Sequence, residues 1–223
     1  MTTTNLDTLT GLPKREALEK ALDQLMENGD TGCLTLVLCD VDKFLEINQA
    51  HGHAGGDAVL KLVAKALQTA GDSLAIRYGG DEFAVIFKGV EREQAFLRME
   101  KIRAELAEIK QIEADGKQQA LRFSISAGIS AWPIDGSNQA ELMRKADAAL
   151  YRAKLGGRNK IMLAYEEKMV PKTAHFTATQ LERLSDLAKD QGVGEAVLLR
   201  EALDELLTKY VHGFQRTGMP TAG

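Results

Sequence analysis

Leu74-Ala75-Ile76-Arg77-Tyr78-Gly79-Gly80-Asp81-Glu82-Phe83-Ala84-Val85-Ile86-Phe87 holds two extended runs on either side of a glycine pair, which is a hairpin signal. Upstream, Cys33-Leu34-Thr35-Leu36-Val37-Leu38-Cys39 is a continuous apolar run of the kind a central, doubly covered strand requires, and it ends on Asp40-Val41-Asp42. Between these two features, Val59, Leu60, Val63 and Leu67 fall on one face of a helix predicted from about 56 to 69. Downstream come a charged helix from 91 to about 109, a polar break near Gly116, a strand over 123–132 and a helix over about 138–154. Gly156-Gly157 stops that helix, and 160–165 reads as a last strand. Ahead of everything, Ala17, Leu18, Ala21, Leu22 and Leu25 give helical spacing over 14–26, with Pro13 at its start. The order β-α-β-β-α-β predicts an α+β fold, the ferredoxin-like split βαβ arrangement with extra helices.

After residue 165 the composition shifts. Residues 166–172 read as a linker, 173–176 as a short extended piece, and about 178–191 and 194–212 as two helices split by Gly192. Residues 213–223 read as a loose tail. The expected organisation is therefore a domain over 1–165, a linker, a small module over 173–212 and a tail.

The chain has 223 residues, 44% of them hydrophobic, enough for one medium domain and a small appendage. A net charge of -4 argues against a protein held to nucleic acid or membrane by bulk charge. The polar start, Met1 to Asp7, lacks the apolar core of a signal peptide, and no apolar run reaches the roughly 20 residues of a membrane helix. A cytoplasmic setting is expected. Cys33 and Cys39 fit it, since an extended strand holds them about 20 Å apart and no bridge can form.

The chemistry concentrates at two places. Asp40 ends the apolar strand, and Asp81-Glu82 sits at the hairpin tip. In a ferredoxin-like sheet that strand and the hairpin are neighbours, so their acids can meet at one edge. Oxygen-only ligands of this kind suit Mg²⁺, which one or two carboxylates hold together with substrate phosphates. Gly79 and Gly80 would let a nucleotide approach the backbone. Gly-Gly-Asp-Glu alone, however, is also what an ordinary solvated turn looks like.

The wider pattern decides between these. Six segments in order resemble the GGDEF family of diguanylate cyclases over roughly residues 6–165: Asp7-Thr8-Leu9-Thr10-Gly11-Leu12-Pro13; Asp40-Val41-Asp42-Lys43-Phe44 with Asn48; Gly52-His53-Ala54-Gly55-Gly56-Asp57; Arg77-Tyr78-Gly79-Gly80-Asp81-Glu82-Phe83; Ser126-Ala127-Gly128-Ile129; and Ala146-Asp147 through Tyr151, Ala153-Lys154 and Gly157-Arg158-Asn159. The resemblance implies a nucleotide cyclase palm that joins two GTP molecules into cyclic di-GMP. It further implies that Asp40, Asp81 and the Val41 carbonyl bind Mg²⁺, with Mn²⁺ as a substitute. Glu82 would be a further metal ligand or would help to deprotonate the attacking hydroxyl. Phe44 belongs to the base-binding segment, Asn48 and Asp57 would read the guanine edge, and His53 would line the same pocket. An aspartate suits guanine because it can accept from two adjacent N–H donors. Lys154 and Arg158, four apart, would hold the terminal phosphates.

Three positions depart from the family. Leu45 stands where the resemblance implies a lysine that assists turnover, which leaves open a weak or inactive domain that only binds GTP or cyclic di-GMP. Gln49 replaces a common aspartate. Ala70 and Ser73 occupy the positions of the inhibitory Arg-x-x-Asp, so product inhibition through that site is not expected.

The segment from Thr173 to about Tyr210 resembles a ribbon-helix-helix module, on Thr177, Leu181-Glu182-Arg183-Leu184, Gly192-Val193 and Leu199-Arg200-Glu201-Ala202-Leu203. Such modules dimerise by pairing strands, and many bind DNA with the paired ribbon. Here the strand would present Thr173 and His175 rather than arginines, and Glu195 opens the second helix, where it would repel phosphate. Homodimerisation is therefore favoured over DNA binding, and a simple helical hairpin remains the plainer alternative. Dimerisation would serve the chemistry by raising the effective concentration of the second GTP-bearing chain. Nothing long enough to be a sensor precedes Asp7, so control through an N-terminal input is not expected.

Overall fold

The computed structural model describes residues 5–27, 32–164, 173–191, 194–196, 198–199, 202–203 and 206. The chain divides into two compact units, Met1–Glu167 and Lys168–Gly223.

The first unit contains α1 (Arg15–Glu27), β1 (Leu34–Val41), α2 (Phe44–Gln68), β2 (Ser73–Gly79), β3 (Glu82–Lys88), α3 (Arg92–Ala107), β4 (Gln111–Ala114), β5 (Lys117–Ala120), β6 (Ile125–Trp132), α4 (Gln139–Leu155) and β7 (Ile161–Leu163). Five strands form one sheet in the order β2-β3-β1-β6-β7. β1 is antiparallel to both β3 and β6, and β7 joins parallel to β6. The ferredoxin-like core is thus present, with α4 and β7 added at one side.

β1 lies at the centre of this sheet, and all eight of its residues are buried. Its odd positions, Val37, Cys39 and Val41, pack into the core shared with Val59, Val63, Met99 and Ile102 of α2 and α3. Its even positions, Leu36 and Leu38, pack with Leu18 and Leu22 of α1 and Leu142, Ala146 and Leu150 of α4. Two covered faces explain why this strand reads as unbroken apolar sequence rather than as an alternation.

α4 begins on Asn138, whose side chain accepts from the Glu141 amide at 3.0 Å. The helix lies close on the sheet because Gly128 has no side chain. A Cβ there would collide with the Ala146 carbonyl and the Leu150 amide.

Two elements differ from the sequence expectation. The helix expected from about residue 56 begins at Phe44 instead and runs through Gly52, where φ 69° and ψ 176° break it into two segments. Gly52, Gly55 and Gly56 look like helix stops in sequence. In the structure Gly52 supplies the bend and the other two supply room for the segments to approach. The polar break near Gly116 is a second hairpin, β4–β5, which turns on Asp115 and Gly116, both at positive φ. Ile112 and Ala114 are its buried positions.

In the second unit, Ala178–Gln191 forms α5. Thr177 caps it as expected: its hydroxyl accepts from the Gln180 amide at 3.3 Å, and the Gln180 side chain accepts from the Thr177 amide at 2.9 Å. Residues 173–176 form no strand among the described residues. Residues 195–196, 198–199, 202–203 and 206 are helical. The linker 166–172, the Gly192-Val193 turn, residues 207–212 and the tail 213–223 lie outside the described residues.

Candidate active site

The site is built at the C-terminal end of β1. Asp40 has the parity of Leu36 and Leu38, so it leaves the strand on the α4 face. There it meets Lys154 of the last turn of α4, with Nζ 2.7 Å from Oδ2. Asp40 pairs across the sheet with Glu82, and the Val41 amide donates to the Asp81 carbonyl at 3.2 Å. Strand end and hairpin tip are therefore fastened together at the two acids. Asp40 is buried, and that burial raises its pKa above the ordinary carboxylate range. Lys154 opposes the rise, while the charges of Asp81 and Asp42 add to it.

A second network fixes the hairpin from behind. Arg77 donates from Nε and Nη2 to the Gly80 carbonyl at 3.2 and 2.8 Å, and from Nη1 to Asp7 Oδ1 at 2.8 Å. Asp7 also accepts from the Thr10 amide and hydroxyl at 2.8 and 2.6 Å. Burial works against ionisation of Asp7, but the Thr10 and Arg77 hydrogen bonds outweigh it and bring the carboxyl down to about 2. The opening motif thus acts as a brace on the hairpin. No such role is legible in the sequence, although an aspartate followed by Thr-x-Thr-Gly is a turn signal and Arg77 is the nearest cation to the glycine pair.

Asp42 is also a brace rather than a ligand. It accepts from the Ser124 and Ser126 hydroxyls at 2.6 and 2.7 Å and from the Asn159 amide at 2.9 Å. That last bond anchors the loop after α4, where Arg158 and Asn159 both adopt positive φ. Arg158 is exposed four residues beyond Lys154.

The residues expected to bind the base collect at the bend of α2. A Cβ on Gly56 would collide with the Asn48 side-chain oxygen and lie 3.1 Å from Phe44 Cζ. Phe44 and Asn48 therefore rest on the backbone that carries Asp57. Asp57 is exposed and also borders a cleft of about 730 Å³ between α2 and the β4–β5 hairpin, with Lys61, Lys65 and Glu113. His53 is exposed on the second segment of α2, and its neighbour His51 is the histidine tied into the fold, 3.1 Å from Gln119 Oε1.

The structure thus brings together Asp40, Val41, Asp81, Glu82 and Lys154, and separately Phe44, Asn48 and Asp57. It does not form a closed cage from the three acids. Among the described residues no three Asp, Glu, His or Cys side chains converge to hold an ion unaided. Glu82 points to solvent and Lys154 sits on Asp40. A buried carboxylate beside a second acid still fits a hard divalent cation whose shell is completed by phosphate oxygens. Leu45 is 70% exposed at the start of α2. Among the described residues, no helix is long and apolar enough to cross a membrane.

Comparison with known proteins points the same way. A family model described as "Diguanylate cyclase, GGDEF domain" matches residues 4–160. Diguanylate cyclase DgcP of Pseudomonas aeruginosa is 38% identical over 164 residues, covering 71% of this chain and 24% of that protein. Diguanylate cyclase A of Treponema denticola is 38% identical over 133 residues, covering 59% of this chain and 35% of that protein. The chain thus spans between a quarter and about a third of the length of these curated relatives. Among solved structures, the GGDEF domain of DgcB from Caulobacter crescentus, in complex with c-di-GMP, superposes with a TM-score of 0.66 at 30% identity, covering 74% of this chain and 97% of that one.

Proposed function

Because the chain belongs to the GGDEF family of diguanylate cyclases, we propose that it condenses two GTP molecules into cyclic di-GMP and two pyrophosphates as a homodimer. The observation that carries this reading is the junction of Asp40, Lys154 and the hairpin tip. It sets two acids and a cation at one sheet edge, next to the bend that gathers Phe44, Asn48 and Asp57.

Asn48 and Asp57 bind the guanine edge, Phe44 packs on the base, and His53 borders the same pocket. Lys154 and Arg158 hold the terminal phosphates. Asp40, Asp81 and the Val41 carbonyl are the residues that would hold Mg²⁺ or Mn²⁺, with Glu82 as a further ligand. When bound, the ion supplies charge neutralisation on the phosphates, the main need in phosphoryl-type transfer. In each of two steps, a 3′-hydroxyl oxygen bonds to the α-phosphorus of the other GTP. The bond from that phosphorus to pyrophosphate breaks, and Glu82, where it is not a metal ligand, takes the hydroxyl proton. Each chain presents one GTP, so the second nucleophile comes from a partner copy. Exposed Leu181 and Leu187 on α5, with Leu199, Leu203 and Leu206 beyond it, support self-association through the C-terminal unit, with DNA binding the less favoured use of that module.

A second reading rests on Leu45. An exposed leucine where the resemblance implies a lysine favours a domain that binds GTP or cyclic di-GMP with little turnover. Chromatography after incubation of the full chain with GTP and Mg²⁺ separates the two. The cyclase reading expects cyclic di-GMP from wild type and none from Asp81→Asn. Equal turnover by that variant would refute the assignment of Asp81, and GTP binding without product would establish the second reading.

A further inference from the structure

Lys154 sits where a metal would have to go. Asp40 is buried, with a side chain only 10% exposed, and the Lys154 ammonium lies 2.7 Å from its Oδ2. An anion removed from water needs a counter-charge, and here the ammonium is the one in contact. Among the described residues, Asp40 is the acid in ion-pair contact with Lys154. Asp42 is taken up by Ser124, Ser126 and Asn159, and Glu82 is exposed. Lys154 itself is 32% exposed and ends a flexible four-carbon stem in the last turn of α4, so it can swing outward without moving the helix.

We propose that Lys154 is a resident stand-in cation: it occupies Asp40 in the nucleotide-free protein and must leave that carboxylate before Asp40 can hold a divalent ion. The inference rests on the metal assignment made above and adds to it an exchange. An incoming triphosphate offers the ammonium a new anion and frees the carboxylate. A divalent ion taking the carboxylate frees the ammonium for phosphate. By linkage, each ligand strengthens the other by the same factor. Metal alone then binds weakly, since only the fraction of molecules with Asp40 free is competent. Arg158 carries the same charge four residues on, but it is exposed and makes no ion pair among the described residues. The exchange therefore belongs to Lys154 and not to the local positive field.

The test is Mn²⁺ binding to the full chain without nucleotide, read by electron paramagnetic resonance of the free ion. Lys154→Met is expected to bind Mn²⁺ about tenfold tighter than wild type, because every molecule then has Asp40 free. Arg158→Met is expected to change binding by no more than about twofold, the effect of one distant, screened charge. Lys154→Met binding no tighter than wild type overturns the proposal, as does equal tightening by Arg158→Met. Removing Lys154 leaves Asp40 as a buried unpaired charge that can cost stability, so a second signal is read on the wild type. The ¹⁵N signal of the Lys154 ammonium is expected to be protected from exchange in the free protein and to lose that protection under saturating Mg²⁺. An unchanged signal overturns the proposal. Adding Asp40→Asn to Lys154→Met should abolish the tightened site. A tight site that survives this change means the ion sits elsewhere, and the metal assignment itself then fails.

Discussion

Residue by residue, the site relies on acids with opposite environments. Asp40 is held by burial and one ammonium, whereas Asp7 is held by two donors from Thr10 and one from Arg77. The Asp7 carboxyl falls from 3.8 to about 2 on folding, so its contribution is fully present above pH 3.8 and is lost as the pH drops towards 2. That shift corresponds to about 2 kcal/mol. Asp7→Asn should therefore unfold more readily at neutral pH and lose less further stability between pH 4 and pH 2 than wild type does. Denaturant titrations across that range check this, and parallel pH profiles for the two proteins would count against the brace. Asp40 stood out in sequence because it ends an apolar run, and Asp81 and Glu82 because they follow the glycine pair of a hairpin. The brace did not, because its partners lie 70 positions apart and only the fold brings them together.

At the scale of elements, the bend in α2 sets the geometry on which the proposed substrate recognition depends. Its two segments approach because Gly55 and Gly56 leave space, and Asn48 fills the space at Gly56. Gly56→Ala would put its methyl against the end of the flexible Asn48 side chain. The helix can keep its path while Asn48 is pushed away. The expected result is a rise of about tenfold in the KM for GTP, the loss of roughly one hydrogen bond to the base, with a melting temperature near that of wild type. An unchanged KM would mean that Asn48 does not read the substrate. This bend was misjudged in sequence because glycine clusters usually end helices. The β4–β5 hairpin was missed although Asp115-Gly116 is a strong turn pair, because its strands are polar and only Ile112 and Ala114 face the core. The central strand and the first hairpin were legible since both are strongly apolar.

For the whole molecule, the proposed function gives the two units different tasks. Residues 1–167 contain every residue assigned to one GTP half-site, and the reaction needs two such halves. The described residues of the second unit from 178 onward are largely helical, with exposed leucines among them. Ending the chain at residue 167 should yield a monomer in sedimentation, with activity falling by tenfold or more at micromolar protein as the effective concentration of the second half-site is lost. A truncated chain that stays dimeric and fully active would remove the role assigned to the second unit. The ribbon-helix-helix resemblance could not be followed into paired strands, since a ribbon of that kind needs two chains to exist.

The most direct measurement is the product of GTP turnover by the full chain with Mg²⁺, identified by mass spectrometry alongside released pyrophosphate. The expected result is cyclic di-GMP with two pyrophosphates for each molecule formed. GTP that is bound and left intact, or converted to GDP and phosphate instead, would contradict it.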